Sequence, residues 1–278
     1  MRKKFGQNFL INPAIRAKLL DALELNSGSR VWEIGPGLGA MTAGLLERGG
    51  RVTAFEIDHA FAEILRELFK NESESRPCAF DLVEGDVLKT WPGVMTDDEL
   101  FLLGNLPYNI AAALLADFIE KGKFFKRMVV TVQREVAQRM AAKPGTADYS
   151  SFSVLCASVY QVSPVCVIKG SSFYPAPRVD SQGVKLELKT PVEKRPRYFY
   201  PLVRSLFSSR RKIIKNTLTS FASSVSLSLH SVKLINAGDA AGDALSRAKI
   251  AGERRPETLS LDEFVCLAAC LEETIANG

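Results

Sequence analysis

Several stretches of this 278-residue chain combine side chains suited to chemistry with positions just after apolar runs. Asn105-Leu106-Pro107-Tyr108-Asn109 follows Phe101-Leu102-Leu103, which places an amide, a restrained turn and an aromatic ring at the end of a predicted buried strand. An aryl amine is a poor nucleophile because its lone pair is delocalised into the ring. Acceptors at the Asn105 side chain and the Leu106 carbonyl could hold both amine hydrogens and favour a pyramidal nitrogen. Pro107 restricts Leu106 to an extended backbone, which fixes the direction of that carbonyl. Tyr108 offers a face on which a base taken out of its stack can lie. Such a site needs no general base of shifted pKa, because the nitrogen becomes acidic once it has attacked a methyl group. In-line positioning carries most of the rate. A plain strand-to-helix turn would also use Asn and Pro, so the stretch is decided by its surroundings.

Three other predicted strand ends bear on it. Glu33-Ile34-Gly35-Pro36-Gly37-Leu38-Gly39 is a glycine-rich turn, and Gly35, Gly37 and Ala40 satisfy the relaxed G-x-G-x-x-G/A pattern. Glycines there let the backbone approach a ligand closely. Glu56, 21 residues after Gly35, ends the next strand and is suited to a ribose diol. Glu84-Gly85-Asp86 ends a third, where the Asp86 carboxylate can accept from an adenine amine. Together they imply an adenosine-containing cofactor, either a nicotinamide dinucleotide or S-adenosylmethionine. No histidine is placed for hydride chemistry, so the fourth strand end favours methyl transfer. Phe173, in Phe173-Tyr174-Pro175-Ala176-Pro177-Arg178, is a candidate second face of a base sandwich on a proline-stiffened loop; the competing reading is a core phenylalanine.

The elements that must position these residues alternate. Asn12 and Pro13 predict a helix start, with Ile15, Leu19, Leu20 and Leu23 at helical spacing up to about Leu25. Strands are expected at Arg30–Ile34, Arg51–Phe55, Cys78–Val83, before Gly104 and at Met128–Val132. Helices are expected between them, including Phe61–Phe69 with Ile64, Leu65 and Leu68 inward. This alternation predicts a parallel, doubly wound sheet. Ser153–Tyr160, Val162–Ile168 and Gly183–Leu188 then read as closely spaced strands at an antiparallel edge. The proline-bearing stretch Thr190–Pro196 is the expected boundary between a domain of residues 1–190 and a helical domain of residues 191–278. In the latter, helices are expected at Tyr198–Phe207, Arg210–Phe221, Ser228–Ala237 and Leu261–Ile275.

Composition is that of an ordinary globular chain, 46% hydrophobic and 24% charged. No stretch is apolar enough for a membrane span, and the N-terminus lacks a signal-peptide core. Five scattered cysteines and two histidines argue against a structural zinc site and fit a reducing cytoplasm; Cys266 and Cys270 read as buried small hydrophobes on a helix. Residues 191–278 hold 13 Lys and Arg against 9 Asp and Glu. The eight basic residues from Lys194 to Lys215 have no acidic residue among them. A polyanionic partner is expected there.

Taken in order, these motifs resemble the ribosomal RNA adenine N6-dimethyltransferase family, in particular its small-subunit branch. The resemblance runs over Gly6-Gln7-Asn8-Phe9-Leu10, the glycine-rich turn, Glu56-Ile57-Asp58, Gly85-Asp86, Asn105 to Asn109 and Phe173 to Val179. It continues through Leu206-Phe207-Ser208-Ser209-Arg210-Arg211-Lys212 and Arg255 to Leu261. It implies a Rossmann-like class I methyltransferase sheet, mostly parallel with an antiparallel edge, plus a small all-α C-terminal domain. It also implies cofactor contacts from Asn8, Leu10, Gly35, Glu56, Asp86 and Asn105, with Tyr108 and Phe173 flanking the target adenine beside Asn105, Leu106 and Pro107. The cofactor implied is S-adenosylmethionine, without a metal. The substrate implied is two adjacent adenosines near the 3′ end of small-subunit rRNA, within a pre-30S-type particle and met by a cytoplasmic monomer. Large-subunit methylation of the antibiotic-resistance type, and a binding-only assembly or transcription factor, are the alternatives. Two places depart from the family. Tyr149-Ser150-Ser151-Phe152-Ser153-Val154 lacks a basic residue usual there, and Ser220–Leu245 matches poorly.

Overall fold

The structure, a computed structural model, describes residues 8–70, 72, 79–94, 99–107, 110–228 and 237–277. Gly6, Gln7, Cys78, Tyr108 and Asn109 lie outside them, as does most of the helix expected at Ser228–Ala237. The chain divides into two compact units, residues 1–138 with 160–190, and residues 139–159 with 191–278.

In the first unit, β1 (Phe9–Leu10) leads into α1 (Pro13–Asp21). The Asn12 side chain accepts from the backbone N–H groups of Ala14 and Ile15, and Pro13 opens the helix, as its fixed φ favours. The helix stops at Asp21, short of Leu25. There follow β2 (Arg30–Ile34), α2 (Ala40–Glu47), β3 (Arg51–Glu56), α3 (His59–Leu68), β4 (Phe80–Glu84) and the single turn α4 (Val87–Thr90). Next come β5 (Leu100–Asn105), α5 (Ala111–Glu120), β6 (Arg127–Gln133) and α6 (Arg134–Ala141). After α7 (Ser151–Val159), the strands β7 (Tyr160–Ile168), β8 (Phe173–Tyr174) and β9 (Ser181–Leu188) complete the sheets.

The main sheet has the order β4-β3-β2-β5-β6-β9-β7. The first five strands are parallel, and β9 and β7 pair antiparallel at the far edge. Both faces of the parallel part are covered, which is why its strands read as near-continuous apolar runs. On one face Val31, Val52, Ala54, Phe101, Leu103 and Val129 share a buried cluster with α1, α2 and α3 through Leu19, Leu45 and Leu65. On the other, Trp32 meets the rings of Phe55, Phe118 and Phe125 at 4.9, 6.3 and 5.5 Å.

Further sequence expectations change. Ser153–Tyr160 is not a strand: Ser151–Val159 is helical, and Phe152 to Cys156 are all buried. An apolar run buried on every side carries no period that separates strand from helix. In α3 the inward stripe is Phe61, Leu65 and Phe69, while Ile64 and Leu68 are exposed because they fall about a quarter-turn round the helix. Residues 139–159 cluster with the helical unit although the sequence reading puts them before the boundary.

The second unit holds α7 with α8 (Phe199–Ser208), α9 (Ile214–Ser228), α10 (Ala237–Arg247) and α11 (Leu261–Asn277). Tyr149 explains the company that 139–159 keeps. Its ring lies 5.8 Å from Phe207, and its hydroxyl donates to the Leu259 carbonyl at 3.0 Å. Ser260 and Glu263 cap α11 reciprocally, each side chain accepting from the other's backbone N–H. Cys266, on this helix, is exposed and Cys270 half-buried, contrary to the expectation of two buried hydrophobes: the inward stripe is Phe264, Leu267, Ala268 and Leu271.

Candidate active site

Register sets the site. In β2, Ile34 lies level with Phe55 of β3 and with Gly104 of β5. The residues that follow, Gly35, Glu56 and Asn105, therefore stand side by side at the carboxyl ends of three adjacent parallel strands. Glu56 is level with Glu84 in β4, two residues before Asp86. Read along the sheet edge, the order is Asp86, Glu56, Gly35, Asn105. Adjacent strands are about 4.8 Å apart, so this row spans roughly 14 Å. The edge lies where open α/β sheets bind ligands.

The glycine-rich turn needs its glycines. Gly35, Gly37 and Gly39 have φ values of +70°, +56° and +77°. A Cβ on Gly37 would sit 2.8 Å from the Phe9 ring, and one on Gly39 would sit 2.8 Å from Phe69. At Gly35 a Cβ would meet nothing nearer than the Asn105 carbonyl oxygen at 3.9 Å, so that position opens on free space. Glu56 ties the turn down: its Oε2 accepts from Gly37 N–H at 3.1 Å and its Oε1 from Asp58 N–H at 2.9 Å. Burial raises the Glu56 pKa, opposed by those N–H donors. Ile57, the next residue, is 45% exposed, an apolar surface directly beside this carboxylate. Its signal in the sequence is an isoleucine past the end of a strand, where burial no longer explains it.

One oxygen of Asp86 accepts from Leu88 N–H at 3.1 Å and caps α4. The preceding Glu84 is held by Arg66 at 2.7 Å and by His59 at 2.7 Å. These partners lower the Glu84 pKa and raise that of His59. The Asp86 turn is thereby pinned to α3.

Asn105 Nδ2 donates to the Asn8 carbonyl at 2.8 Å, leaving Oδ1 as the acceptor half of the amide. Leu106 N–H bonds the Thr131 carbonyl at 3.2 Å, so the β5 ladder runs one residue beyond the strand and Leu106 is buried. Pro107 follows, half-buried, and its carbonyl accepts from Ile110 and Ala111 N–H to start α5. Tyr108 lies outside the described residues.

Sequence reasoning missed that the N-terminal lead-in is a strand. β1 pairs antiparallel with β8, Phe9 opposite Tyr174 and Leu10 opposite Phe173. This brings Asn8, Leu10, Asn105 and Phe173 together across more than 160 residues of sequence. Phe173 is only 3% exposed and belongs to the same buried cluster as Leu10. Its neighbour Tyr174 is 71% exposed. Sequence reading also passed over Glu33 and Thr42. Glu33 is buried in mid-sheet between Ala54 and Leu103, and Thr42 Oγ1 donates to it at 2.6 Å. Burial pushes its pKa up to about 7, with the nearby Glu56 charge adding to the rise. Among the described residues, no group of three metal-ligating side chains exists.

A row of carboxylate, carboxylate, open glycine backbone and amide suits an elongated adenosine ligand with a reactive end at Asn105. The family comparison agrees: the model described as "Ribosomal RNA adenine dimethylase" matches residues 1–246. The chain belongs to that family. Its members are S-adenosylmethionine-dependent rRNA adenine methyltransferases, and the donor set fits that cofactor. The "Ribosomal RNA small subunit methyltransferase A" of Treponema denticola is 43% identical over 272 residues, which is 96% of this chain and 88% of the relative. A dimethyladenosine transferase from Plasmodium falciparum has a similar structure, with TM-score 0.76 and 27% identity over 93% of this chain and 95% of that one. The 23S rRNA methyltransferase ErmE shares the fold at TM-score 0.64 and 22% identity, covering 95% of this chain and 99% of its own. The small-subunit names therefore outweigh the large-subunit alternative. No helix among the described residues is long and apolar enough to cross a membrane.

Proposed function

We propose that this chain dimethylates N6 of two adjacent adenosines near the 3′ end of small-subunit rRNA, using S-adenosylmethionine, as a cytoplasmic monomer acting on a pre-30S-type particle. The observation that carries the reading is the row Asp86, Glu56, Gly35, Asn105 across neighbouring strands. It repeats the order adenine, ribose, methionine and methyl acceptor. When bound, the cofactor supplies an electrophilic methyl on a sulfonium, a leaving group that departs as a neutral thioether.

The residues of the chain then have separate duties. Asp86 accepts from the adenine amine through the oxygen not used by Leu88. Glu56 accepts from the ribose hydroxyls with the lone pairs that Gly37 and Asp58 leave over, and Ile57 packs on the adenine. Gly35 admits the methionine portion, and Asn8 and Leu10 close over it. Asn105 Oδ1 and the Leu106 carbonyl hold the target amine in line, the proton leaving after attack. Tyr108 and Phe173 flank the base, Phe173 after a shift of the residues that cover it. The basic segment Lys194–Lys215 meets rRNA phosphates. Within it Arg195 and Arg210 are engaged by carbonyls, Arg195 with Ser158 at 2.6 Å and Arg210 with Tyr149 at 2.9 Å. Arg211, Lys212 and Lys215 are exposed and are the ones assigned to phosphate.

The test is incubation of the protein with labelled S-adenosylmethionine and unmethylated small subunits, followed by mapping of the modified base. Asn105→Ala should abolish transfer while leaving cofactor affinity mostly intact. Label on any base other than adenine, or full activity in that variant, overturns the assignment.

A further inference from the structure

Tyr174 is the most exposed large hydrophobic side chain among the described residues, at 71%. Alternation explains why it points outward: its strand neighbour Phe173 takes the buried side. Alternation does not explain why an aromatic ring stands there. The position is not remote from the chemistry. Tyr174 is the register partner of Phe9, and the residue before Phe9 is tethered to the Asn105 amide at 2.8 Å. Antiparallel partners have Cα atoms about 4.5–5.5 Å apart, so the Tyr174 backbone lies within roughly 10 Å of that amide.

The same loop and the adjoining lead-in carry apolar and charged side chains. Ile11, whose N–H donates to the Ser172 carbonyl at 2.8 Å, is 53% exposed, and Val179 is 48% exposed. Arg178, four residues after Tyr174, is exposed, as is Asp180. Asp180 is held through its backbone carbonyl, which accepts from Arg134 N–H at 3.2 Å. Pro175 and Pro177 limit the backbone freedom of this rim, so little ordering is needed when a ligand meets it.

An open aromatic face with an exposed cation four residues further along the same proline-stiffened loop, on the rim of a site for an extruded adenine, matches the chemistry of a single-stranded nucleotide. We infer that Tyr174 stacks the nucleobase flanking the target adenosine and that Arg178 contacts the phosphate beside it, a second nucleotide subsite contiguous with the first. This inference rests on the proposed rRNA methylation. The subsite reads no base edge, because every base has a π-face. Its effect is to hold the strand taut where the target base leaves the stack, and so to act on RNA engagement instead of on the methyl-transfer step.

The experiment is steady-state methylation of unmethylated small subunits by the full chain and by Tyr174→Ala, Tyr174→Phe and Arg178→Gln, with cofactor affinity and thermal midpoint measured in parallel. Tyr174→Ala should lower kcat/KM about tenfold, mainly through KM, as loss of one base–aromatic stack requires. Tyr174→Phe should keep it within about twofold, because the stacking face remains. Arg178→Gln should flatten the slope of log kcat/KM against log salt by about 0.7, one phosphate contact on a single strand. Cofactor affinity and the thermal midpoint should stay unchanged in all three. Equal kcat/KM for Tyr174→Ala and the unmutated protein overturns the inference alone, as does an equal loss in Tyr174→Phe and Tyr174→Ala. No adenine methylation by the unmutated protein overturns the proposed function and this subsite with it.

Discussion

Replacing Glu33 with Gln should change how stability depends on pH, by an amount the structure sets. The Glu33 carboxyl lies in β2 between Ala54 and Leu103, with Thr42 Oγ1 donating to it, and burial moves its pKa from 4.5 to about 7. Because the folded pKa is above the unfolded one, the stabilising contribution is present in full below about pH 4.5 and is lost as pH rises through 7. The shift corresponds to roughly 3 kcal/mol, most of which falls between pH 5 and 8. Gln is nearly isosteric, keeps an acceptor for Thr42 and cannot ionise. Urea unfolding followed by tryptophan fluorescence reports this unit, since both tryptophans, Trp32 and Trp91, lie in it. The stability of the Gln variant minus that of the unmutated protein should rise by about 2–3 kcal/mol from pH 5 to pH 8. Taking this difference removes the pH-independent packing cost of the amide and the titration of groups that do not interact with Glu33. Parallel profiles for the two proteins would refute the reasoning, for they would mean that Glu33 ionises in the folded state as it does in water.

The remaining expectations concern the site. Glu56→Ala removes a carboxylate that accepts from Gly37 and Asp58 N–H and is assigned to the ribose, so calorimetry should find cofactor binding weaker by at least about tenfold; affinity within twofold would contradict that role. Gly37→Ala puts a Cβ 2.8 Å from the Phe9 ring at a φ of +56°. It should cost about 1–2 kcal/mol in urea unfolding from the backbone alone, before any steric clash; unchanged stability would contradict this conformation. Asn105→Asp retains an acceptor for the target amine and loses the donor to the Asn8 carbonyl. A carboxylate facing that carbonyl should reduce kcat by about tenfold or more, and a kcat equal to that of the unmutated protein would show the tether to be unnecessary. Charge-neutral replacement of Arg211 and Lys212 should weaken rRNA binding and lower its salt dependence, whereas an unchanged salt slope would remove those two residues from the phosphate surface.

The sheet was legible because its strands announce themselves: Val31, Trp32 and Ile34, interrupted only by Glu33, and Phe101 to Leu103 place apolar side chains on both faces, and each run is followed by Gly. Glu56, Asp86 and Asn105 were legible for the same reason, as polar residues at the ends of buried runs. Parallel register, which sequence does not state, is what lines them up in the order a single ligand needs. Other features were hidden by physics that is not local. β1 and β8 are two residues each, too short for any period, and they exist because distant segments pair. Helix α7 was hidden by burial on every side, and α10 because Ala240, Ala241 and Ala244 make its inward stripe of residues too small to stand out. Phe173 and Tyr174 are the sharpest case. Sequence gives two adjacent aromatic residues, and only pairing with Leu10 and Phe9 decides which is inside.

That pairing also bears on how the two halves of the site depend on each other. Phe9 packs on Phe61 at 5.5 Å, edge to face, and a Cβ on Gly37 would strike it, so the strand sits against the glycine-rich turn on the cofactor side. Through Asn8 it fixes the Asn105 amide, and through Leu10 and Phe9 it backs Phe173 and Tyr174 on the base side. Strand β1 and the residue before it thus touch both the glycine-rich turn and the Asn105 amide. A change that moves Phe9 changes the shape of the cofactor turn and, through the same short strand, the direction in which the Asn105 oxygen points. The proposed roles of these residues therefore couple cofactor binding to base positioning through the two-residue pairing of β1 with β8. Substitutions in the lead-in should then affect kcat as well as cofactor affinity, a combination that a lead-in serving only as a cofactor cover would not produce.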